Sequence, residues 1–214
     1  MERARMREIP TNIKKPALVA KRREQILQAA LDLFRKHGYH GTSMRMICDK
    51  SKVNRASIYD YFKSKADILV FLYKQMMFKE GNFYETDSGL TISDWNDLEP
   101  FIKSTISRSW NMHRNSIQMM YRETISLDSE TKQSVLDIES DYVKLIAKNL
   151  QKGLGLDTIT PDLEILANTI VFFNAFLPLR GWNMHDIKQE NILDSVVEMI
   201  MGKLEKLRRS NGKE

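Results

Sequence analysis

The side chains best suited to recognition chemistry lie close together in the first third of the chain. Arg55 offers a planar fork of donors that can form two parallel hydrogen bonds with the edge of one guanine. Tyr59 and Tyr61 offer hydroxyl donors for phosphate oxygens, and Lys52 and Lys65 offer ammonium groups for the same acceptors. Such donors within one short stretch predict a surface that binds a phosphate-rich partner.

Positive charge is also concentrated in the first third of the chain. Residues 1–65 contain 16 Lys and Arg against 6 Asp and Glu, a net charge of +10. Residues 66–214 contain 17 Lys and Arg against 22 Asp and Glu, a net charge of −5. A basic end joined to a mildly acidic remainder indicates that only one end meets a polyanion. Charge alone does not separate DNA from RNA or an anionic membrane, and a solvated basic surface is the plain alternative.

Catalytic and metal-binding patterns are missing from the sequence. The histidines share no metal-ligand spacing, so we expect no metal site. No Ser/His/Asp set, phosphate-binding glycine loop or GxGxxG motif occurs, so we expect neither an enzyme nor a cofactor. The four histidines are His37, His40, His113 and His185.

Composition places the chain among ordinary globular proteins. Apolar residues make up 42% and charged residues 29%, which excludes wholesale disorder. The single cysteine, Cys48, excludes an internal disulfide framework, fits a reducing cytoplasm and is interpreted as a packed small residue rather than a redox sensor. The first residues lack the apolar core of a secretory signal. The most apolar stretch, residues 165–179, is shorter than the roughly 20 residues of a membrane span, so we expect no membrane contact.

Helical periodicity dominates the chain, and no alternating strand pattern persists. The spacing therefore predicts an all-α protein of about nine helices, with the polar segment 84–93 as a loop. The predicted helices are residues 18–37, 44–51, 55–62, 65–83, 94–113, 115–126, 129–154, 161–180 and 188–207. Gly38, directly after the first of them, is expected to form a left-handed C-terminal cap.

Three N-cap signals follow one another closely in the basic segment. Ser43 or Thr42 can cap the second helix, Asn54 the third and Ser64 the fourth. Two short helices joined by a tight turn in a basic segment describe a helix-turn-helix, whose second helix can lie in the DNA major groove. Its exposed residues would be Asn54, Arg55, Ser57, Asp60 and Tyr61, and its buried anchors Val53, Ile58 and Phe62.

The order of residues goes further than a generic helix-turn-helix. Ala29-Ala30, Leu33-Phe34, Gly38-Tyr39, Thr42 and Ile47 are followed by Val53-Asn54, Ile58-Tyr59, Tyr61-Phe62, Lys63-Ser64-Lys65 and Leu69. With these landmarks, residues 22–70 closely resemble the TetR family of transcriptional regulators. The resemblance implies an all-helical homodimer in which three N-terminal helices bind double-stranded DNA. A larger C-terminal region would bind an effector and dimerise through the last two helices.

The resemblance also implies which residues contact DNA. They are Ser43, Met44, Arg45, Arg55, Ala56, Ser57, Tyr59, Asp60, Tyr61 and Lys65. To these we add Asn54, from its exposed place at the start of the second helix, and Lys52 as a further phosphate contact. Three residues depart from the family pattern, since Lys52 replaces a turn glycine, Cys48 an alanine and Asn54 a capping serine. Asp60 is a poor neighbour for phosphate, so it either accepts from a cytosine amino group or points to water.

The C-terminal half is rich in aromatic and methionine side chains, which suit an adaptable apolar cavity. The plain alternative for each of them is the hydrophobic core. Relatives within the family bind fatty acyl thioesters or hydrophobic drugs, so the resemblance implies a small apolar effector. The candidate effector-binding residues are Phe101, Trp110, Met119, Tyr121, Tyr142, Phe172, Phe173 and Phe176. Arg114, Arg122 and Arg180 lie near these clusters and are candidates for an acidic headgroup.

We therefore divide the chain into a flexible basic arm (1–17), a helix-turn-helix domain (18–65) and a helical effector-binding and dimerisation domain (66–214). Arg3, Arg5 and Arg7 of the arm either enter a minor groove or contact nothing. The leading hypothesis is a ligand-responsive repressor that an apolar effector releases from a palindromic operator. The alternatives are a helical enzyme that its basic segment recruits to nucleic acid, and a membrane-surface adaptor that uses the arm.

Overall fold

The computed structural model describes residues 16–78 and 92–212. Within these residues the protein is entirely helical, with nine α-helices and no strand, which confirms the predicted fold class. The helices are α1 (Pro16–Gly41), α2 (Met44–Ser51), α3 (Arg55–Ile58), α4 (Lys65–Met77), α5 (Leu98–Met112), α6 (Arg114–Glu123), α7 (Ser129–Gly153), α8 (Pro161–Arg180) and α9 (Gln189–Ser210). The basic arm up to residue 15, with Arg3, Arg5 and Arg7, and the predicted loop up to residue 91 lie outside the described residues.

Helix α1 is interrupted at Gly38, where the backbone takes φ 75° and ψ 165°. A side chain with a Cβ is strained there, so glycine is needed. The positive φ agrees with the prediction, but the extended ψ differs from that of a left-handed helical cap. The chain therefore kinks and continues to Gly41. The Thr42 hydroxyl donates a hydrogen bond of 2.8 Å to the Gly38 carbonyl and holds the kink in place.

The short helix α3 ends earlier than the predicted residue 62. The amide of Asp60 donates to the carbonyl of Ser57, and the amide of Tyr61 donates to that of Ile58. These bonds span three residues instead of four, which tightens the last turn. The Phe62 amide also returns to the Ile58 carbonyl at 3.0 Å, so the chain stays coiled up to Phe62 without forming a regular α-helix.

The chain divides into two compact units, one up to Leu72 and one from Tyr73. The division lies inside α4, later than the domain boundary that we predicted at residues 65 and 66. Helix α4 ends at Met77, and residues 79–83 of the predicted helix lie outside the described residues. In the first unit, Ile26, Phe34 and Ile47 are fully buried, as the apolar spacing of α1 and α2 requires.

The second unit is a bundle in which α8 packs against α5, α6 and α7. Helix α9 packs against α5 and α8. Thr160 caps α8, with Pro161 at its first position, as predicted. Short 3₁₀ turns precede α5 (Trp95–Asp97) and follow α6 (Thr124–Ser126), where the sequence predicts longer α-helices.

Residues 161–183 are long and apolar enough to cross a membrane by length and composition. Half of the most apolar part is buried inside the protein, and core helices of globular proteins have the same property. This stretch includes the 3₁₀ turn after α8 and is longer than the apolar run that the sequence suggests. Its apolar side chains are explained in large part by packing, since Leu163, Ala167 and Ile170 are fully buried in the bundle.

Candidate nucleic-acid interface and apolar cavity

The orientation of α3 is fixed at its start and on its inner face. The side-chain oxygen of Asn54 accepts a hydrogen bond of 2.9 Å from the amide of Ala56, so Asn54 is the N-cap that the sequence predicts. Val53, Ile58 and Phe62 are buried and anchor the segment in the first unit. Helix α2 is capped in the same way by Ser43, whose hydroxyl accepts from the amide of Met46. Both caps therefore use the side chains that the sequence singled out.

Most of the residues assigned to DNA contact form an exposed polar surface on α2 and α3. Met44 and Ser57 are half-buried. The exposed members are Ser43, Arg45, Lys52, Asn54, Arg55, Ala56, Tyr59 and Asp60. We call these ten residues the recognition surface. It combines cationic, hydroxyl and amide groups without a large apolar patch, which is typical of a surface that meets nucleic acid.

Tyr61 does not belong to the recognition surface, and the prediction that it is exposed is wrong. Its side chain is only 4% exposed. Its neighbour Tyr59 remains 55% exposed. Tyr61 follows the buried Ile58 by three residues, and residues three and four apart share a face of a helix, so helical spacing itself places Tyr61 on the buried side. We therefore remove Tyr61 from the proposed DNA contacts.

The ammonium group of Lys65 is engaged within the first unit. Its Nζ donates to the carbonyl oxygens of Tyr39 at 2.8 Å, Thr42 at 3.0 Å and His40 at 3.4 Å. It also lies 4.5 Å from the centre of the Tyr39 ring. An ammonium has three hydrogens, and here each has an acceptor. The predicted phosphate contact of Lys65 is thus replaced by a structural role, in which the side chain holds the link between α1 and α2.

Lys52 is the one described residue other than glycine with a positive φ, at φ 55° and ψ 26°. It ends α2 in the left-handed conformation, so the family's usual glycine and this lysine meet the same backbone requirement. A lysine pays a steric cost at this position that a glycine does not. Its side chain is exposed and extends the positive charge of the recognition surface.

Replacing Lys52 with glycine is expected to stabilise the protein by about 1 kcal/mol, because the left-handed strain of the Cβ disappears. The same change removes a cation, so DNA affinity is expected to fall equally for all sequences, with a salt slope smaller by about 0.9. Urea unfolding and DNA titration at several salt concentrations check both effects. Lys36→Gly, the same change at an exposed helical residue of α1, should destabilise instead, and a stabilising Lys36→Gly would contradict the role of the left-handed backbone.

The second unit contains an apolar cavity of about 280 Å³, which is partly open, since the lining residue Ile125 is 83% exposed. Its walls come from α4, α5, α6, α7, α8 and the 3₁₀ turn after α6. The lining residues are Tyr73, Met76, Met77, Ser109, His113, Ile117, Met120, Tyr121, Thr124, Ile125, Glu139, Tyr142, Val171, Asn174 and Ala175. Three methionines and several aliphatic side chains give the cavity an adaptable apolar wall, as ligand sites usually have.

Two buried tyrosines line the cavity. The Tyr73 hydroxyl lies 2.6 Å from the Thr124 hydroxyl and 3.3 Å from the carbonyl oxygen of Met120. Burial raises the pKa of Tyr73 to about 12. Burial likewise raises the pKa of Tyr142 to about 12, although the Asn174 side chain and the charge of Arg108 oppose the shift. Both hydroxyls are therefore neutral at every physiological pH.

The remaining titratable groups of the lining are also biased towards their neutral forms. Burial, and then the charge of Arg108, lowers the pKa of His113 below its usual 6.5, so its imidazole is uncharged at neutral pH. Burial raises the pKa of Glu139. No lysine or arginine is among the described lining residues. The cavity therefore suits an apolar molecule better than an anion.

The structure brings only part of the predicted effector set to the cavity. Tyr121 and Tyr142 line it. Phe101, Trp110 and Met119 are buried in the core instead, and Phe172 is exposed on α8. Phe173 and Phe176 pack edge to face with each other, 5.8 Å apart, and do not line the cavity either. Phe101, Trp110 and Met119 therefore belong to the hydrophobic core, which was the plain alternative. Phe172 is exposed and Phe173 and Phe176 are half-buried, so these three belong neither to the cavity nor to the buried core.

The three arginines considered for an acidic headgroup are not part of the lining. Arg122 forms an ion pair of 2.7 Å with Glu123. Arg180 stacks over the Trp182 ring at 5.5 Å. The lining residues that the sequence analysis missed are spread over α4 to α8, with three each on α4 and α8. The paired Met76 and Met77 and the polar Asn174 within an apolar helix were the available signals, but neither shows which face meets a cavity.

No group of three or more His, Cys, Asp or Glu side chains that could hold a metal ion occurs in the described parts of the chain. Cys48 is buried. Burial raises the pKa of its thiol, which favours the unreactive protonated form and a packing role.

Residues 26–70 match the family model described as "Bacterial regulatory proteins, tetR family". The "Fatty acid metabolism regulator protein" of Bacillus subtilis (strain 168) is 26% identical over 182 residues, which is 83% of this chain and 92% of that protein. The matched family residues include α2, α3 and the start of α4, so the match contains the whole recognition surface.

Two solved structures share the fold. The transcriptional regulator FadR from Bacillus subtilis, in complex with stearoyl-CoA, superposes with a TM-score of 0.64 and 23% identity, over 83% of this chain and 96% of that one. AibR, in complex with isovaleryl coenzyme A and operator DNA, superposes with a TM-score of 0.58 and 21% identity, over 83% of this chain and 97% of that one. At these identities the likeness shows a common all-helical architecture.

Proposed function

Because this chain belongs to the TetR family of transcriptional regulators, we propose that it is a ligand-responsive repressor, which leaves a palindromic operator when a small apolar molecule occupies its cavity. The observation that carries the proposal is the pairing of two separate features. The first unit presents a capped, exposed, cationic recognition surface, and the second contains an apolar cavity. A regulator needs both, whereas an adaptor without sequence preference needs neither.

In this proposal the recognition surface reads DNA. Arg55, exposed in the first turn of α3, binds the O6 and N7 atoms of a guanine through its two parallel donors. Tyr59 donates its exposed hydroxyl to a phosphate, and Lys52 neutralises another. Arg45 lies on α2 within 4.0 Å of Asp49, an exposed pair that exchanges readily for a phosphate partner.

The proposed active form is a homodimer through α8 and α9. Both helices carry large apolar side chains that the single subunit leaves exposed, with Ile165 67%, Phe172 56% and Met199 59% exposed. Apolar surface of this size on neighbouring helices favours a partner with the same two helices. Two recognition surfaces related by twofold symmetry would meet operator half-sites about 34–36 Å apart.

The effector step rests on the lining of the cavity. Tyr73, Met76 and Met77 belong to α4, the same helix that begins at Lys65. A molecule that binds one arrangement of these side chains more tightly than another shifts the protein towards the arrangement that it prefers. The apolar part of an acyl thioester or of a hydrophobic drug-like compound matches the apolar lining of this cavity. We also propose that the protein acts in the cytoplasm and catalyses no reaction.

Selection of random DNA duplexes by the purified protein, followed by affinity measurements on the selected sequence, tests this function. Arg55→Ala is expected to lose about 1–3 kcal/mol of discrimination at one base position, since one bidentate contact reads one base. Lys36→Ala is the matched control, because it removes an exposed cation from α1 of the same unit. It should leave the base preference unchanged.

The outcome that contradicts the proposal is equal affinity for every duplex at moderate salt, or a stable single subunit at the concentrations that bind DNA. Binding to anionic vesicles in the absence of any DNA preference would instead favour the membrane-surface adaptor. Native mass spectrometry of the purified protein gives both the oligomeric state and the mass of any molecule that has remained in the cavity.

A further inference from the structure

The cavity contains one carboxylate that no side chain of the described residues neutralises. Glu139, on α7, lines the cavity and is half-buried. It forms no hydrogen bond or ion pair with the described residues, and no lysine or arginine is among the described lining residues. From this arrangement we infer that the effector is an organic cation, a largely apolar molecule whose ammonium group binds the Glu139 carboxylate.

The Glu139 carboxylate lies close to two aromatic side chains of the same cavity. Burial raises the pKa of Tyr73 to about 12 and also raises the pKa of Tyr121, and the negative charge of Glu139 adds to both shifts. Both tyrosines line the cavity, so the carboxylate and their rings border the same space. Because the faces of tyrosine rings attract organic cations, these rings and the carboxylate together favour a positively charged occupant.

A half-buried carboxylate without a partner is costly, and a cation reduces this cost. Burial raises the pKa of Glu139, since the ionised carboxylate has lost part of its hydration. An ammonium group beside it stabilises the ionised form and donates a charge-assisted hydrogen bond. A neutral molecule of the same shape lacks the attraction between opposite charges, and an anion is repelled. Charge therefore discriminates between occupants that share one apolar body.

The other charged groups near the lining leave the Glu139 charge in place. Burial, and then the charge of Arg108, lowers the pKa of His113, so this lining imidazole is uncharged at neutral pH. Arg108 does not line the cavity, and its charge acts on His113 and Tyr142, whereas burial alone shifts the pKa of Glu139. Glu123, whose charge also acts near the cavity, forms an ion pair of 2.7 Å with the preceding arginine. The ionised lining therefore carries a net negative charge.

The exposure of the lining residues distinguishes an inner part of the cavity from its mouth. Tyr142 and Ala175 are buried, whereas Tyr121 and Ile125 are exposed. Glu139 is half-buried, between these extremes. An occupant thus places its apolar body against the buried lining and its ammonium group towards the mouth, where the cation keeps part of its hydration.

The volume of the cavity limits the size of the occupant. A cavity of about 150 Å³ in another protein binds benzene, which has six non-hydrogen atoms. At the same ratio, the volume of about 280 Å³ found here holds about eleven non-hydrogen atoms. A phenyl ring on a four-carbon chain that ends in an ammonium group has this size.

The inference rests on the proposed function, because it names the ligand class of the proposed effector site. It is tested on the full-length protein without DNA, by calorimetric titration at pH 8 with 4-phenylbutylammonium, 4-phenylbutanol and 4-phenylbutyrate. The three probes share a phenyl ring and a four-carbon chain, and at this pH they carry a positive charge, no charge and a negative charge. We expect the ammonium to bind about tenfold more tightly than the alcohol, and the carboxylate to bind more weakly than the alcohol.

Two variants assign the preference to Glu139. Glu139→Gln keeps the shape of the side chain and is expected to abolish the preference for the ammonium while it retains the binding of the alcohol. It should also raise the Tm of the ligand-free protein, since an unpaired, half-buried charge is removed. Asp141→Asn is the matched control, because it removes an exposed carboxylate of α7 that does not line the cavity. It should keep the preference for the ammonium.

Five results would overturn the inference: no binding of any of the three probes, alcohol or carboxylate binding as tightly as the ammonium, an ammonium preference that survives in Glu139→Gln, one that disappears in Asp141→Asn, or a lower Tm in Glu139→Gln. None of these results depends on DNA. Conversely, a protein that binds the ammonium as expected but shows no operator preference would leave this ligand site in place and refute the proposed function. The two failures are therefore distinguishable.

Discussion

Lys65→Met is expected to lower the free energy of unfolding by about 3 kcal/mol, because each hydrogen bond from a charged donor contributes roughly 1.5–3 kcal/mol and the three bonds share one ammonium. The methionine keeps the length of the aliphatic stem, so the loss reports the ammonium group. The carbonyl oxygens of Tyr39, His40 and Thr42 are left without this donor. Urea unfolding followed by circular dichroism measures the loss.

Lys63→Met is the matched control, since Lys63 is an exposed lysine two positions earlier in the same connection. It should leave the stability unchanged within error. Lys65→Arg keeps the charge and should retain part of the stability. The structural role of Lys65 is wrong if Lys65→Met unfolds at the same urea concentration as the parent and instead reduces the salt slope of DNA binding by about 0.9, the effect of losing one phosphate contact.

Alkaline pH is expected to destabilise the second unit strongly, because two cavity tyrosines resist ionisation in the folded state. An unfolded tyrosine ionises near its usual pKa of 10, whereas burial raises the pKa of Tyr73 and of Tyr142 to about 12. The unfolded chain therefore releases protons first as the pH rises, and stability falls between pH 10 and 12. Each shift corresponds to roughly 3 kcal/mol, fully present below pH 10 and lost above 12.

Unfolding free energies at pH 8 and 11 for the parent and for Tyr73→Phe, Tyr142→Phe and the double variant isolate this effect. Phenylalanine keeps the ring and removes the proton, so the double variant should lose much less stability between the two pH values. Tyr59→Phe, a change at an exposed tyrosine, should lose as much as the parent. An equal alkaline loss in the parent and the double variant would show that these hydroxyls ionise freely in the folded state.

The sequence by itself determined the helical architecture and the recognition surface. Caps at Ser43 and Asn54, the glycine at position 38 and the apolar spacing of Ile58 and Phe62 are local signals, because each acts through bonds and contacts within a few residues. Helix α8 begins and ends at the predicted residues for the same reason, with a capping threonine and a proline at its start.

The tertiary structure alone decided which side chains face which neighbours. Tyr61 is buried together with Ile58 and Phe62, and Lys65 reaches carbonyl oxygens more than twenty positions earlier in the chain. In the second unit, aromatic residues such as Phe101 became core, while Met76 and Asn174 became cavity wall. Periodicity gives the apolar face of one helix, but a cavity is a gap between several helices, and its position depends on long-range packing that no local pattern contains.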